Sequence, residues 1–423
     1  INFTFNGKSY TGYQGDTLAS ALIANDVHLV GRSFKYHRAR GILTAGSEEP
    51  NAIVQLGIGA RTEPNIRATE IELYEGLEAA SQNCWPSVNF DIGAMNNILS
   101  RIFPAGFYYK TFKWPPSMWL FYEHFIRKAA GLGQSPTAKN PDRYEQKFFH
   151  TDLTIVGAGI SGLLAALGAG RSGCKVLLID ENPVLGGYLL DYDFSINEKD
   201  GKKWIKNMTE ELNGLSNVTI LKRTTAMGYY DYNYLTALEK VTNHHAELSN
   251  TLPRERYWRI RSKKVILAQG AFERPLVFAD NDRPGIMMAS AGQKYLARFG
   301  VLPGKSVVLF TNNDHAYMTA YAFVKKGAKV TVIDTRESVN TKITEKCISL
   351  NIKIYKSYSI IKTYGDRKVN KIELQKVDKD QGQLIGEIES ISTDCILMSG
   401  GWNPAVQLFS QSRGKLKYDL KLN

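Results

Sequence analysis

Most of the residue patterns on which enzyme classes depend are missing from this sequence. Its 423 residues include four cysteines, Cys84, Cys174, Cys347 and Cys395, and no CxxC pair. Neither a zinc knuckle nor a redox dithiol is therefore encoded. Cys174 and Cys395 sit in apolar, strand-like contexts, as buried thiols of a reducing compartment do. There is no GxSxG elbow, no HExxH helix and no other paired metal-ligand spacing. The one adjacent histidine pair, His244-His245, lies in a polar segment and reads as a solvated turn. The sequence thus assigns no catalytic residue and no metal ligand. No run of about 18 uncharged apolar residues exists, so no membrane span is expected. No secretory signal opens the chain, and a cytoplasmic location with no membrane partner is expected. The chain opens on Ile1 rather than Met, which places the expected start upstream. The net charge is +12, from 53 Lys and Arg against 41 Asp and Glu, but the cations are scattered rather than in blocks. That pattern fits a basic solvated surface and no nucleic-acid partner, or else a basic face toward partner subunits or phosphates.

The residues that are present divide into regions. At roughly 100–200 residues per domain, the length allows two to four. Residues 1–95 read as a small α+β module of the β-grasp type. INFTFNGKSYT is a hairpin turning at Asn6-Gly7, Asp16-Thr17 caps the helix LASALIANDV, and HLVGRSF, IVQLGI and ATEIELY are expected as further strands. Residues 96–150 comprise an aromatic segment (Phe103, Phe107, Tyr108, Tyr109, Phe112, Trp114, Trp119, Phe121, Tyr122 and Phe125, interrupted by Pro104, Lys110, Pro115 and Pro116) and a Gly- and Pro-containing linker over 131–150. The aromatics pack between domains or face a partner chain. From Thr151 the pattern becomes strands alternating with helical periods, an α/β class with a parallel sheet. A dinucleotide-binding domain is expected over 151–285 and a second Rossmann-like domain over 286–400. Residues 401–423 then begin a return to the first, a layout of the glutathione-reductase type.

The segment DLTIVGAGISGLLAALGAGRSGCKVLLIDEN, residues 152–182, carries the strongest signal. A strand ends in GxGxxG, formed by Gly157, Gly159 and Gly162 with Ala158, Ile160 and Ser161 between them. The first glycine permits the tight turn, the second a close approach of pyrophosphate, the third close packing of helix on strand. The helix then aims its N-terminal N–H groups at the phosphates. A second strand, Lys175–Ile179, ends at Asp180, Glu181 and Asn182. A carboxylate there accepts ribose hydroxyls and repels a 2′-phosphate, which favours NAD or FAD over NADP. Gly186-Gly187 in DENPVLGGYL, Ala268 and Gly270 in KVILAQG, and Gly400-Gly401 in DCILMSGGWNP supply glycine-terminated turns that can lie against a flat ligand. The second unit, KSVVLFTNNDHAYMTAYAFVKKGAKVTVIDTR, has the right strand and helix lengths but TNNDHAY where glycines belong. It is expected to have lost ordinary nucleotide binding, or to hold a modified site.

The strings GDTLASALIANDVHLVGRSFKYHRARGILTAGSEEPNA, ELYEGLEAASQNCWPS, AGFYYKTFKWP, TTAMGYYDYNY and SGGWNPAVQLFSQSRGKLKYD resemble the α subunit of heterotetrameric sarcosine oxidase over nearly the whole chain. The resemblance implies that the N-terminal module has a plant-type ferredoxin fold. Cluster-bearing relatives supply cysteines in the stretch that here reads KYHRARGILTAGSEEPN, which has none, so no iron–sulfur cluster is expected. It implies resident NAD, carried over onto Gly157, Ser161, Asp180, Glu181, Asn182 and Met227. It implies partner β and smaller subunits, amine oxidation at an FAD on the β subunit, and an FMN between α and β. Tetrahydrofolate chemistry belongs to a C-terminal domain lying beyond Asn423. The chain is then a fragment of the subunit, or the remainder is a separate chain. The competing expectations are a self-contained FAD-dependent NADH oxidoreductase and a scaffold whose dinucleotide site is vestigial.

Overall fold

The computed structural model describes residues 1–101, 114–196, 198–247, 249–378, 380 and 382–420. Phe103, Pro104, Phe107, Tyr108, Tyr109, Lys110 and Phe112 of the aromatic segment lie outside the described residues. The chain forms two compact units, Ile1–Pro141 with Glu273–Gly401, and Asp142–Phe272 with Trp402–Asn423.

In the first unit the N-terminal module is a five-stranded sheet in the order Lys8–Thr11, Asn2–Phe5, Leu77–Ser81, Ile53–Leu56, Glu63–Arg67. The Asn6-Gly7 turn has both φ values positive, 52° and 74°, which an Asn-Gly pair adopts at low cost. The helix Leu18–Ala24 buries Leu18, Leu22 and Ile23 on the sheet, and its start is fixed by a capping box between Thr17 and Ser20. ATEIELY does not become a ladder strand. Its alternation is real, since Ile71 and Leu73 are buried. Its backbone, however, bonds to the start of the helix, Leu18 N–H to Ile71 O at 2.8 Å and Leu73 N–H to Asp16 O at 2.9 Å. HLVGRSF likewise contributes only the two-residue strand Gly31–Arg32.

The loop that follows is built around a carboxylate. Glu49, 1% exposed, accepts the backbone N–H groups of Leu43, Thr44, Asn51 and Ala52 at 2.6–2.9 Å. In the same module, buried His37 Nδ1 and Asp91 Oδ2 pair at 2.6 Å, and Arg32 donates to the Val88 and His37 carbonyls.

The same unit contains a five-stranded parallel sheet in the order Ile286–Met288, Cys395–Ser399, Ser306–Thr311, Lys329–Asp334, Lys353–Lys356. It carries the helices Ala289–Phe299, His315–Lys325 and Lys342–Ser349 and a three-stranded antiparallel sheet over Tyr358–Ser392. One continuous buried core joins this domain to the N-terminal module. Met288 N–H reaches Leu43 O at 2.8 Å, and the Tyr295 hydroxyl reaches Thr44 O at 2.8 Å. Arg38 bridges Asp280 and Asp282 with three bonds at 2.7 Å, and Arg40 also pairs with Asp282. The Arg38 guanidinium holds the Asp280 carboxyl below the ordinary value. A lowered folded pKa contributes stability above the unfolded value that is lost as pH falls through the folded one. The first unit should therefore lose stability below about pH 4, and Asp280→Asn should flatten that part of the slope. Urea unfolding at pH 3 and pH 6 for both proteins checks this.

The second unit is a six-stranded sheet in the order Val218–Leu221, Val176–Ile179, Tyr144–Val156, Glu255–Leu267, Tyr234–Lys240, Thr224–Tyr230. The first four strands are parallel and the last two are antiparallel. The helices Ile160–Arg171 and Gly201–Gly214 make the crossovers. Tyr144–His150, inside the stretch read as linker, is part of the central strand. It pairs with Glu255–Arg261, and Arg254–Asp142 and Arg256–Glu145 ion pairs hold the start of that pairing. Among the described residues no helix is long and apolar enough to cross a membrane.

Candidate dinucleotide site

The glycine loop follows Val156, at the carboxyl end of the central strand. Gly157 has φ of +98°, and a Cβ there would collide with the Ala268 carbonyl. A Cβ on Gly162 would collide with the Gly157 carbonyl, so this glycine sets the helix against the strand. Gly159 is different. Its φ is −71°, and a Cβ built on it meets nothing within 4 Å. Nothing in the folded unit requires glycine there, and the free space lies at the N-terminus of a 12-residue helix. The first N–H groups of such a helix lack intrahelical partners and attract anions. Ile160 and Ser161 form its exposed first turn, while Ala158 is buried.

The two acids at the end of the neighbouring strand have different surroundings. Asp180 Oδ2 accepts the Ala158 N–H at 2.7 Å, and Oδ1 accepts the Asn182 N–H at 2.8 Å and Nδ2 at 3.0 Å. Its carboxylate thus ties the glycine loop to the strand end. Glu181 is exposed beside it. The strand Thr224–Tyr230 begins against this turn, with Thr224 N–H on Asp180 O at 2.9 Å, and carries Met227 at a bulge between Ala226 and Gly228, half exposed. On the other side Gly186 N–H bonds the Ala158 carbonyl at 2.9 Å, and Gly187, at φ +54°, lies 3.2 Å from the Gly159 Cα by its would-be Cβ. Ala268 N–H bonds Val156 O at 2.8 Å, and Gly270, at φ +72°, has open space. The geometry therefore gathers the glycine loop, Asp180, Asn182, Gly187 and Ala268 around one strand end. Gly270 lies two residues beyond Ala268. Met227 joins through its strand rather than by a direct contact.

Sequence reading passed over Gln269. Its side-chain Oε1 is buried and has no hydrogen-bond partner among the described residues, one position after Ala268, which backs the glycine loop. A buried acceptor left open in this way is a place for a ligand donor. The available signal was a polar residue at the end of the apolar run KVILAQG.

In the first unit the corresponding turn, TNNDHAY, is filled by its own side chains. Asn313 Nδ2 donates to Ser399 Oγ at 2.9 Å, and Asn313 Oδ1 accepts from Ala316 N–H at 3.3 Å. Asp334, at the position of a ribose acid, is fully buried and accepts the Tyr317 hydroxyl at 2.9 Å and Arg336 at 2.8 Å. Burial pushes the Cys84 and Cys347 thiols up to about 11. A thiol raised in this way is a poor thiolate nucleophile at neutral pH.

Comparison with known proteins gives two family matches. A family described as a 2Fe-2S iron-sulfur cluster binding domain matches residues 1–84, and one described as pyridine nucleotide-disulphide oxidoreductase matches residues 151–421. The sarcosine oxidase α subunit of Rhizobium meliloti (strain 1021) is 47% identical over 98% of this chain and 41% of that protein. That of Corynebacterium sp. (strain U-96) is 33% identical over 100% of this chain and 39% of that protein. An opine oxidase subunit of Agrobacterium tumefaciens (strain Ach5) is 27% identical over 63% of this chain and 56% of that protein. The chain thus spans about two fifths of the length of the sarcosine oxidase relatives. Among solved structures, L-proline dehydrogenase from P. horikoshii shares the fold over 99% of this chain and 63% of its own, with a TM-score of 0.61 at 19% identity.

Proposed function

Because the chain belongs to the pyridine nucleotide-disulphide oxidoreductase family and is homologous to sarcosine oxidase α subunits along nearly all its length, we propose that it is the NAD-holding part of an α subunit in a multisubunit oxidase of sarcosine or a related N-methyl amine. The observation that carries the NAD site is the unfilled space over Gly159 at a helix N-terminus. The pyrophosphate lies there, over the N–H groups of the Gly157–Gly162 loop and within reach of Ser161. Glu181 takes the ribose hydroxyls, and Asp180 positions the loop through Ala158. Asn182, Gly187, Met227, Ala268 and Gly270 complete the walls, and Gln269 accepts a hydrogen bond from the ligand. Bound NAD would supply a nicotinamide ring competent for hydride transfer. The residues assigned here act on its adenosine and pyrophosphate, and the amine is oxidised at a flavin on the β subunit, with FMN at the interface between the two. This chain alone is expected to turn over no substrate.

Denaturing the purified chain and identifying the released nucleotide by absorbance and mass tests the reading. Released NAD without visible flavin supports it. Released FAD, or no nucleotide, overturns it. Glu181→Ala should weaken NAD about tenfold, the effect of losing one charge-assisted contact, and narrow the discrimination against NADP. Unchanged selectivity in competitive binding would move the ribose contact elsewhere.

We also propose that the ferredoxin-like module carries no iron–sulfur cluster. The loop over residues 36–52 has no cysteine and folds around Glu49, while His37 and Asp91 are buried and pair with each other. Cys84 is the one thiol of the module, and a [2Fe–2S] centre takes four protein ligands. Stoichiometric iron in the freshly purified protein would contradict this.

A further inference from the structure

The first unit holds an open cleft of about 760 Å³ that no part of the proposed function uses. The N-terminal module forms most of its wall. The turn between strands Tyr358–Tyr364 and Lys371–Asp378 closes it with Arg367 and Lys368. Lys8 faces the same space from the edge strand Lys8–Thr11. Lys368 is not a loose surface lysine. Its Nζ lies 3.3 Å from Asp26, which in turn bonds the His28 ring at 2.8 Å, and the His28 side chain is 6% exposed. Burial and the nearby Lys368 hold His28 below its ordinary pKa, so it adds no charge at neutral pH. Three cations therefore line the cleft against one carboxylate, Asp26, and neither Lys8 nor Arg367 has an ion-pair partner among the described residues. Like charges brought to one cavity repel unless a counter-charge joins them. The volume lies within the range of small-ligand sites, and Phe5 and Val88 give it an apolar wall.

We propose that this cleft binds a small anion bearing at least two negative charges, of the phosphate-ester or polycarboxylate class, held by Lys8, Arg367 and Lys368. The Asp26–His28 pair keeps Lys368 in place, and the apolar wall takes the uncharged part of the ligand.

Calorimetric titration of the whole chain with inorganic pyrophosphate and, separately, with citrate tests the proposal and separates the two ligand types. Saturable binding of either, with the dinucleotide site kept occupied by saturating NAD, supports it, and the tighter one identifies the class. Arg367→Glu and Lys8→Glu should each weaken that binding by about tenfold or more, and Arg367→Gln by less. Lys326→Glu makes the same change of charge at an exposed position that does not line the cleft and should leave binding unchanged. Binding of neither anion overturns the proposal. So does equal weakening by Lys326→Glu and Arg367→Glu, which would reduce the effect to the net charge of the protein. Binding of hexaglutamate alone, with neither small anion, would also overturn it in favour of a peptide groove.

Discussion

Gly159→Ala is expected to empty the dinucleotide site and leave the fold intact. The backbone at Gly159 has an ordinary negative φ of −71°, and its Cβ would meet no atom within 4 Å. A methyl group there costs the folded unit about 0.5 kcal/mol at most, as for substitutions away from any packing feature. The same methyl projects into the space assigned to the pyrophosphate. An affinity loss of about 100-fold, or about 2.7 kcal/mol, is expected, and Gly159→Val should abolish retention. Gly162→Ala serves as the contrast. Its Cβ would collide with the Gly157 carbonyl, so it should destabilise the helix–strand packing itself. Nucleotide per chain is read by absorbance after denaturation, and stability by thermal melting. Melting must be compared on nucleotide-stripped proteins, because a bound ligand raises the melting temperature by mass action. Undiminished nucleotide in Gly159→Ala would sink the site, whatever the melting curves showed.

The difference between these two glycines marks what could be read from the sequence and what could not. GxGxxG with a following strand and acid placed the loop, helix and strand end, because each glycine answers a local steric demand. Sequence alone did not show that Gly157 and Gly162 are fixed by the protein while Gly159 has open space over it. That depends on where the Ala268 and Gly157 carbonyls fall. The two acids were equally ambiguous. Asp180 and Glu181 are adjacent, and only the bonds from Ala158 and Asn182 assign the first to the loop. Long-range pairing set the other limit. Tyr144–His150 looks like linker because its strand character depends on a partner more than a hundred residues away, Glu255–Arg261. ATEIELY looks like a strand because its alternation is correct, but the start of the helix takes its hydrogen bonds. The docking of the N-terminal module through Arg38, Arg40, Asp280 and Asp282 was silent for the same reason, since charges some 240 positions apart carry no local pattern.

Asp334→Ala is expected to cost the first unit about 3 kcal/mol, the lower end for removing one partner of a buried pair, without altering the nucleotide content of the chain. In a working dinucleotide fold the acid ending the second strand is offered to a ribose. Here it is fully buried and bound from within. It accepts the Tyr317 hydroxyl at 2.9 Å, the Arg336 N–H at 2.9 Å and the Arg336 side chain at 2.8 and 3.1 Å. Burial, with Asp334 alongside, raises the Tyr317 phenol, so it remains an O–H donor throughout the ordinary pH range. Truncating Asp334 leaves that buried hydroxyl without its acceptor. Arg336 is relieved in part, because it keeps Asp314 at 2.8 Å and is partly exposed, which is why the expected cost is not larger. Asp334→Asn should fall between wild type and Ala, since its amide oxygen can serve Tyr317 while its NH₂ faces the guanidinium. Urea unfolding measures the loss, and nucleotide release on denaturation measures the content. A domain whose acid serves a ribose would give the opposite pair of results, near-native unfolding and a lost nucleotide. The TNNDHAY turn would then be a modified binding loop rather than one closed by its own side chains.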